Sequence, residues 1–298
     1  MHKATVLFAG VSILLAFGIG LVVSKIIQES HITIPLSGGS SVVLGLANGG
    51  DEPKDGTFRA ESALLFNTET NTIMFQQNAF KRMPLASITK LMTAMVALDH
   101  GIDFNKEANI LPQEYGVGGE LVLNPGETVT MRDLFNASLL GSANNATMAY
   151  VRQLNIPQEE FIQEMNRKAI ALNLEQTEFF DVTGLNPKNV STAYEVATLA
   201  HHAFTKYPEI SQATSQKEYT FTVRGSGREH TIHNTNKPVV DGELQVTGSK
   251  TGFLYEAGYC LVVQGAGSQK DRIAVVMNDI SEDSQFAEIS RLLKMQVK

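Results

Sequence analysis

Two β-prone hairpin patterns lie near opposite ends of the folded part of this chain, and the stretch between them carries helical spacing. The first, "AESALLFNTETNTIMFQQNA" from Ala60, sets two short runs around the polar turn Thr68-Glu69-Thr70-Asn71. The second joins "GYCLVVQGAG" to "RIAVVMND" through Ser268-Gln269-Lys270-Asp271. Strands at both ends with helices between them point to an α+β fold, in which the terminal hairpins share one antiparallel sheet flanked by helices. The region from Asn105 to about His202 is read as a helical subdomain. In it Thr130-Met131-Arg132-Asp133 fits a capping box, and a new helix runs through Met148 and Val151 after a break at Gly141. Phe286, Ile289, Leu292 and Leu293 mark one face of a closing helix expected to pack on the sheet.

Between the first hairpin and the helical region lies "PLASITKLMTAM". Ile88, Leu91, Met92, Met95 and Val96 recur at helical spacing, and Asp99-His100-Gly101 supplies a stop. On that helix Ser87 and Lys90 share a face, which sets a hydroxyl nucleophile beside a possible base. About one S-x-x-K is expected by chance in a chain of this length, so the motif alone also fits a solvated helix edge.

The chain has 298 residues, of which 43% are hydrophobic, enough for a sizeable core. A formal charge of −7 without any Lys/Arg-rich run excludes a nucleic-acid footprint. The single cysteine, Cys260, leaves no internal disulfide and no C-x-x-C signature. It reads as a small buried hydrophobe, or, if it borders the cleft, as a thiol open to alkylation.

Residues 1–25 contain the uncharged run "ATVLFAGVSILLAFGIGLVV", long enough to cross a hydrocarbon layer of about 30 Å. No small-residue exit follows it, so an uncleaved membrane anchor is expected over a cleaved signal peptide. Either one exports the rest of the chain: to a single-pass membrane protein with an extracytoplasmic domain, or to a secreted one. Residues 26–56, rich in Gly, Ser and charge, read as a flexible linker.

Two further motifs each occur once: Ser142-Ala143-Asn144 at the break between helices, and Lys250-Thr251-Gly252 where a strand is expected to begin. The order S-x-x-K, S-x-N, K-T-G is that of class A β-lactamases and penicillin-binding proteins. With the blocks "PLASITKLMTAMVAL", "NRKAIALNLEQTEFFDVTGL", "STAYEVATLA" and "GSKTGFLYEAGYC", the chain resembles the serine D-alanyl-D-alanine carboxypeptidases of the low-molecular-weight penicillin-binding type over residues 57–298.

That resemblance implies a catalytic domain and gives each motif a role. Ser87 would attack the carbonyl between two D-alanines of a peptidoglycan stem peptide, with Lys90 as base. Burial and the charge of Lys250 would keep Lys90 neutral. Ser142 would pass a proton to the leaving amine, and Asn144 would bond the substrate amide. Lys250 and Thr251 would hold the terminal carboxylate, Gly252 would let substrate lie close, and the N–H groups of Ser87 and Phe253 would form the oxyanion hole. No cofactor or metal is implied and β-lactams would be covalent inhibitors, whereas the membrane is expected to be reached through the N-terminal helix of residues 1–25 and not through the C-terminal amphipathic anchor usual in the family. Ala143 stands where the family often has Gly, and Asp181 near a usual Asn, which adds a charge by the cleft. Most members continue into a second, β-rich domain that is not expected here.

Other readings remain. A β-lactamase needs a Glu that positions water, and Glu178 in "EFFDVTG" lacks the E-x-x-L-N pattern. An endopeptidase would use the same machinery, and a catalytically silent wall-binding module would not need the intact motifs. His230 and His233, three apart in a strand, would face opposite sides and chelate poorly. His201 and His202 sit in a helical stretch without a carboxylate at metal spacing.

Overall fold

The computed structural model describes residues 58–296 and, before them, two short strands, Ile32–Pro35 and Ser41–Leu44, that pair antiparallel. The anchor expected over residues 1–25 lies outside the described residues, as does most of the expected linker; the described part of that linker forms this strand pair and not the flexible coil expected. Among the described residues no helix is long and apolar enough to cross a membrane.

The strands used below are β1 (Ser62–Asn67), β2 (Thr72–Gln77), β3 (Glu218–Thr222), β4 (Glu229–His233), β5 (Val246–Leu254), β6 (Gly258–Gly265) and β7 (Arg272–Asp279). One five-stranded antiparallel sheet runs in the order β5-β6-β7-β1-β2. The two hairpins read from the sequence therefore meet where β7 pairs with β1, with Val275 opposite Leu64 and Ile273 opposite Phe66. In the first hairpin turn the Asn67 side chain accepts from the N–H groups of Glu69 and Thr70, both at 2.9 Å. β3 and β4 form a separate hairpin.

The helices are α1 (Thr89–Asp99), α2 (Met131–Leu139), α3 (Asn144–Arg152), α4 (Gln158–Ala171), α5 (Ala193–Lys206), α6 (Pro208–Ser215), α7 (Lys237–Val240) and α8 (Glu282–Lys294). The capping box forms: Thr130 Oγ1 accepts from Asp133 N at 3.2 Å, and Asp133 Oδ2 from Thr130 N at 2.8 Å.

Strand alternation sorts the core into two layers. Leu64, Phe66, Cys260, Val262, Ile273 and Val275 face the helical region, whereas Ala63, Leu65, Leu261, Val263, Ala274 and Val276 face α8. The closing helix buries Phe286, Ile289, Leu292 and Leu293 on that second face, as its spacing predicts. Helix α1 is buried from Thr89 through Ala97, so it runs through the interior with no solvent stripe. That is why a lysine on it loses water on every side.

The incoming chain is fastened to α8. The Arg291 guanidinium lies 4.3 Å from the Phe58 ring centre, and the Glu288 carboxylate accepts the N–H groups of Arg59 and Ala60. Asp279 is buried beside Glu288 with one oxygen lacking a protein partner. Burial and this second carboxyl push Glu288 above its ordinary value of 4.5. A carboxyl raised on folding holds a proton that the unfolded chain has already lost, so stability declines as pH rises from that ordinary value. Thermal melts from pH 4 to 8 are expected to show this decline in wild type and a flatter profile in Glu288→Gln.

Candidate active site

Ser87 sits in the 3-10 turn Ala86–Ile88 that leads into α1. The turn is anchored upstream where Met83–Pro84 pairs with Val190–Ser191 and Leu85 N donates to Asn189 O at 2.8 Å. Ala86, just before the nucleophile, has φ +46°, a conformation that side-chain-bearing residues seldom adopt. Two glycines hold it there. A Cβ on Gly184 would lie 1.9 Å from Ala86 O, and one on Gly252 would lie 3.0 Å from both Ala86 Cβ and Ser87 N. The close approach that Gly252 permits in this structure is thus to the protein's own nucleophile turn. It sets edge strand β5 against the Ser87 N–H, with Phe253 next along the strand and about half exposed. K-T-G falls in the middle of β5, which begins four residues earlier than read from the sequence, at Val246.

Lys90 Nζ lies 2.7 Å from Ser87 Oγ, 2.6 Å from Asn144 Oδ1 and 2.8 Å from Thr183 O; as a neutral amine it donates to the two carbonyl oxygens and turns its lone pair to the Ser87 hydroxyl. The spacing of three does bring hydroxyl and amine together. Burial drives the Lys90 pKa well below its usual value, the charge of Lys250 adds to this, and Asp181 opposes it. A neutral amine keeps a lone pair able to take the Ser87 proton. Asn144 is used from both ends, since its Nδ2 donates to Gly118 O at 2.6 Å.

Ser142 lies between α2 and α3 at φ +59°. Its Oγ accepts from Lys250 Nζ at 2.9 Å, and that ammonium also donates to Thr251 O at 3.0 Å. Burial lowers Lys250 to about 7. Thr251 Oγ1 meets Thr235 Oγ1 at 2.5 Å. Shared bonds thus join Ser87, Lys90 and Asn144 in one group and Ser142, Lys250 and Thr251 in another, and Gly252 packs on the turn that carries Ser87.

Asp181 is spent on its own loop. Its carboxylate accepts from the N–H groups of Thr183 and Gly184 at 3.1 and 3.0 Å and from Asn189 Nδ2 at 2.7 Å. That loop delivers Thr183 O to Lys90. Thr183, Gly184, Gly118 and Thr235 were missed by motif reading, three of them because they act through backbone. The run "DVTG" does carry an Asx-turn signature that marks the loop.

The remaining candidates lie apart from this chemistry. Glu178 Oε2 accepts from Arg82 Nη2 at 2.7 Å and is half exposed. His233 pairs with Glu218 at 3.3 Å, while His230 lies tilted against Phe221, with ring centres 5.4 Å apart, on the other face of the strand. His201 meets Gln264 at 3.2 Å. Cys260 is fully buried, and burial pushes its thiol up to about 12. Only the packing reading of that cysteine fits. Iodoacetamide is expected to leave the folded protein unmodified at pH 8, as mass spectrometry would show.

A serine hydrogen-bonded to a desolvated lysine, with a second buried lysine bonded to a second serine, defines a serine–lysine acyl-transfer enzyme on an α+β scaffold. The chain matches the D-alanyl-D-alanine carboxypeptidase family over residues 49–281, and it belongs to that family. It is 30% identical over 240 residues to the D-alanyl-D-alanine carboxypeptidase DacF of Bacillus subtilis, a match that covers 78% of this chain and 61% of that protein. It is 32% identical over 235 residues to the D-alanyl-D-alanine endopeptidase of Escherichia coli, covering 78% of this chain and 75% of that one. Among solved structures, the Streptomyces K15 DD-transpeptidase superposes with a TM-score of 0.74 at 25% identity, over 81% of this chain and 98% of the other. The chain therefore spans about three fifths of the Bacillus relative and nearly all of the Streptomyces one.

Proposed function

We propose that the chain is a serine D-Ala-D-Ala carboxypeptidase acting on peptidoglycan stem peptides outside the cytoplasm, anchored by residues 1–25 and carried on the linker at 26–56. The single observation that carries the reading is Lys90: fully buried, depressed in pKa, and 2.7 Å from Ser87 Oγ. Ser87 Oγ forms a bond to the penultimate D-alanine carbonyl carbon as its proton passes to Lys90 Nζ. The oxyanion is met by the N–H groups of Ser87 and Phe253, and a donor of this kind is worth about 3 kcal/mol. When the C–N bond breaks, the amine leaves with the proton that Lys90 took from Ser87, relayed through Ser142, and Lys90 is neutral again. Water then attacks the acyl-enzyme, gives a proton back through Lys90, and frees the shortened peptide and Ser87. Lys250 and Thr251 hold the terminal carboxylate, and Asn144 supports both Lys90 and the substrate amide. β-Lactams, whose ring carbonyl and carboxylate occupy the same places, would acylate Ser87.

The test is D-alanine release from diacetyl-Lys-D-Ala-D-Ala. Release is expected from the wild-type chain, and its absence from folded protein would overturn the reading. Endopeptidase action is the second reading, supported by the similarity to the Escherichia coli endopeptidase. A β-lactamase is disfavoured by the engagement of Glu178 with Arg82.

The pH dependence follows from Lys250. Its ammonium is the form that holds a carboxylate, and it discharges as pH rises through about 7. A bound carboxylate restores the charge, so the loss is expected in KM and not in kcat. KM for the tripeptide should climb up to about tenfold per pH unit above that value. A Lys250→Arg variant, charged throughout, should keep KM flat to pH 9.

A further inference from the structure

A cavity of about 140 Å³ opens beside Ser142. Gly141 and Ala143, the neighbours of that serine, line it together with Glu120 and with His230 and Ile232 of β4. It is several times the ~30 Å³ that one water occupies in the liquid. Neither the nucleophile nor its base reaches it, so acylation leaves it unused.

Its place relative to a bound substrate follows from the bonds around it, granted the acyl-transfer reading above. The leaving amine takes its proton at Ser142, and its carboxylate lies at Lys250 and Thr251. Lys250 Nζ is 2.9 Å from Ser142 Oγ, Thr251 Oγ1 is 2.5 Å from Thr235 Oγ1, and Thr235 N donates to Leu140 O at 3.1 Å. The α-carbon of the leaving residue therefore hangs between Ser142 and Thr251, and Leu140 leads directly to the cavity wall at Gly141. Ser142, Thr235, Lys250 and Thr251 do not themselves line the cavity, so a methyl held among them would leave this space empty.

The walls select what would fill it. Glu120 is fixed by the N–H groups of Gly116 and Val117, which its Oε1 accepts, and among the described residues it has no ion-pair partner. Arg228, which donates to Val122 O two residues along from Glu120, is already paired with Glu127 through bonds of 3.0 and 2.9 Å. His230 is held below its usual pKa by burial and by Arg228, so it adds no charge at neutral pH. Ile232 and Ala143 offer apolar surface to a methylene stem. We infer that this cavity is a leaving-group subsite for a D-amino acid whose long side chain ends in an ammonium, seated against the Glu120 carboxylate. The same Ser87 chemistry would then release such residues, and would do so in preference to neutral ones of equal length.

The experiment compares three tripeptides with the full chain: diacetyl-Lys-D-Ala-D-Ala, and the same peptide ending in D-Lys or in D-norleucine. Wild type is expected to prefer D-Lys over D-norleucine in kcat/KM by about fivefold, the upper range for one partly exposed ion pair. Glu120→Gln keeps an oxygen for the Gly116 and Val117 N–H groups and should bring that ratio to about one. Because the readout is a ratio on one enzyme, any loss of folded protein cancels. A wild-type ratio near one, or a ratio that survives Glu120→Gln, overturns the subsite. Failure to release D-alanine as well overturns the acyl-transfer reading on which it rests.

Discussion

Ser87→Ala, Lys90→Ala and the double variant are expected to fall to one common rate of D-alanine release, at least about 10³-fold below wild type. The hydroxyl is 2.7 Å from an amine that burial keeps neutral, so each group is useless without the other. Two groups that act as one unit do not show additive losses. Their side effects should differ. Ser87→Ala removes one half-buried hydroxyl, whereas Lys90→Ala orphans Asn144 Oδ1 and Thr183 O in the interior, at about 1–3 kcal/mol for each buried group left unpaired. The measurements are product release and thermal melting on the same samples. A double variant markedly worse than either single one would mean that Lys90 serves something other than Ser87.

Gly184→Ala is expected to be the most damaging single-methyl change in the molecule. The added carbon would meet Ala86 O at 1.9 Å, and the φ of +90° is itself unfavourable for alanine. Neither obstacle is a movable side chain, so the nucleophile turn or the Asp181 loop has to shift. A loss of about 3 kcal/mol or more is expected, together with loss of acylation. Gly116→Ala supplies the control. Its φ of +82° is similar, but nothing lies within 4 Å of the added carbon, so only the backbone cost of about 1–2 kcal/mol remains. Denaturant melts of the two variants separate strain from collision. Equal destabilisation would show that crowding at Ala86 counts for nothing.

The elements legible in the sequence are those whose signals are local. Asn67 and the turn to Asn71 announce the first hairpin, Thr130 and Asp133 announce α2, and the spacing from Phe286 to Leu293 announces α8. The pairing of β7 with β1 was expected in kind, because both hairpins needed one sheet, but strand order and register are set by contacts some 200 residues apart and leave no local trace. The early start of β5 was hidden by Gly248, which weakens a strand pattern. In the site, side-chain chemistry was readable at Ser87, Lys90, Ser142, Asn144 and Lys250. The parts that position it are carbonyls and missing methyls: Thr183 O, Gly118 O and the bare Cα of Gly184. A backbone oxygen is the same in every residue, so only the loop's turn signature hints that one will be used.

The junction at Phe58, Arg59 and Ala60 has a mechanical meaning. Any pull on the residues before Phe58 arrives first at the Glu288 carboxylate and the Arg291 guanidinium, then at β1. That strand is inside the sheet, with β7 on one side and β2 on the other. A force along it must shear two ladders at once, where a force on an edge strand would peel one bond after another. The domain therefore meets traction from its N-terminal side at an interior strand, and two further strands, β6 and β7, separate the line of load from the edge strand that carries Lys250, Thr251 and Gly252.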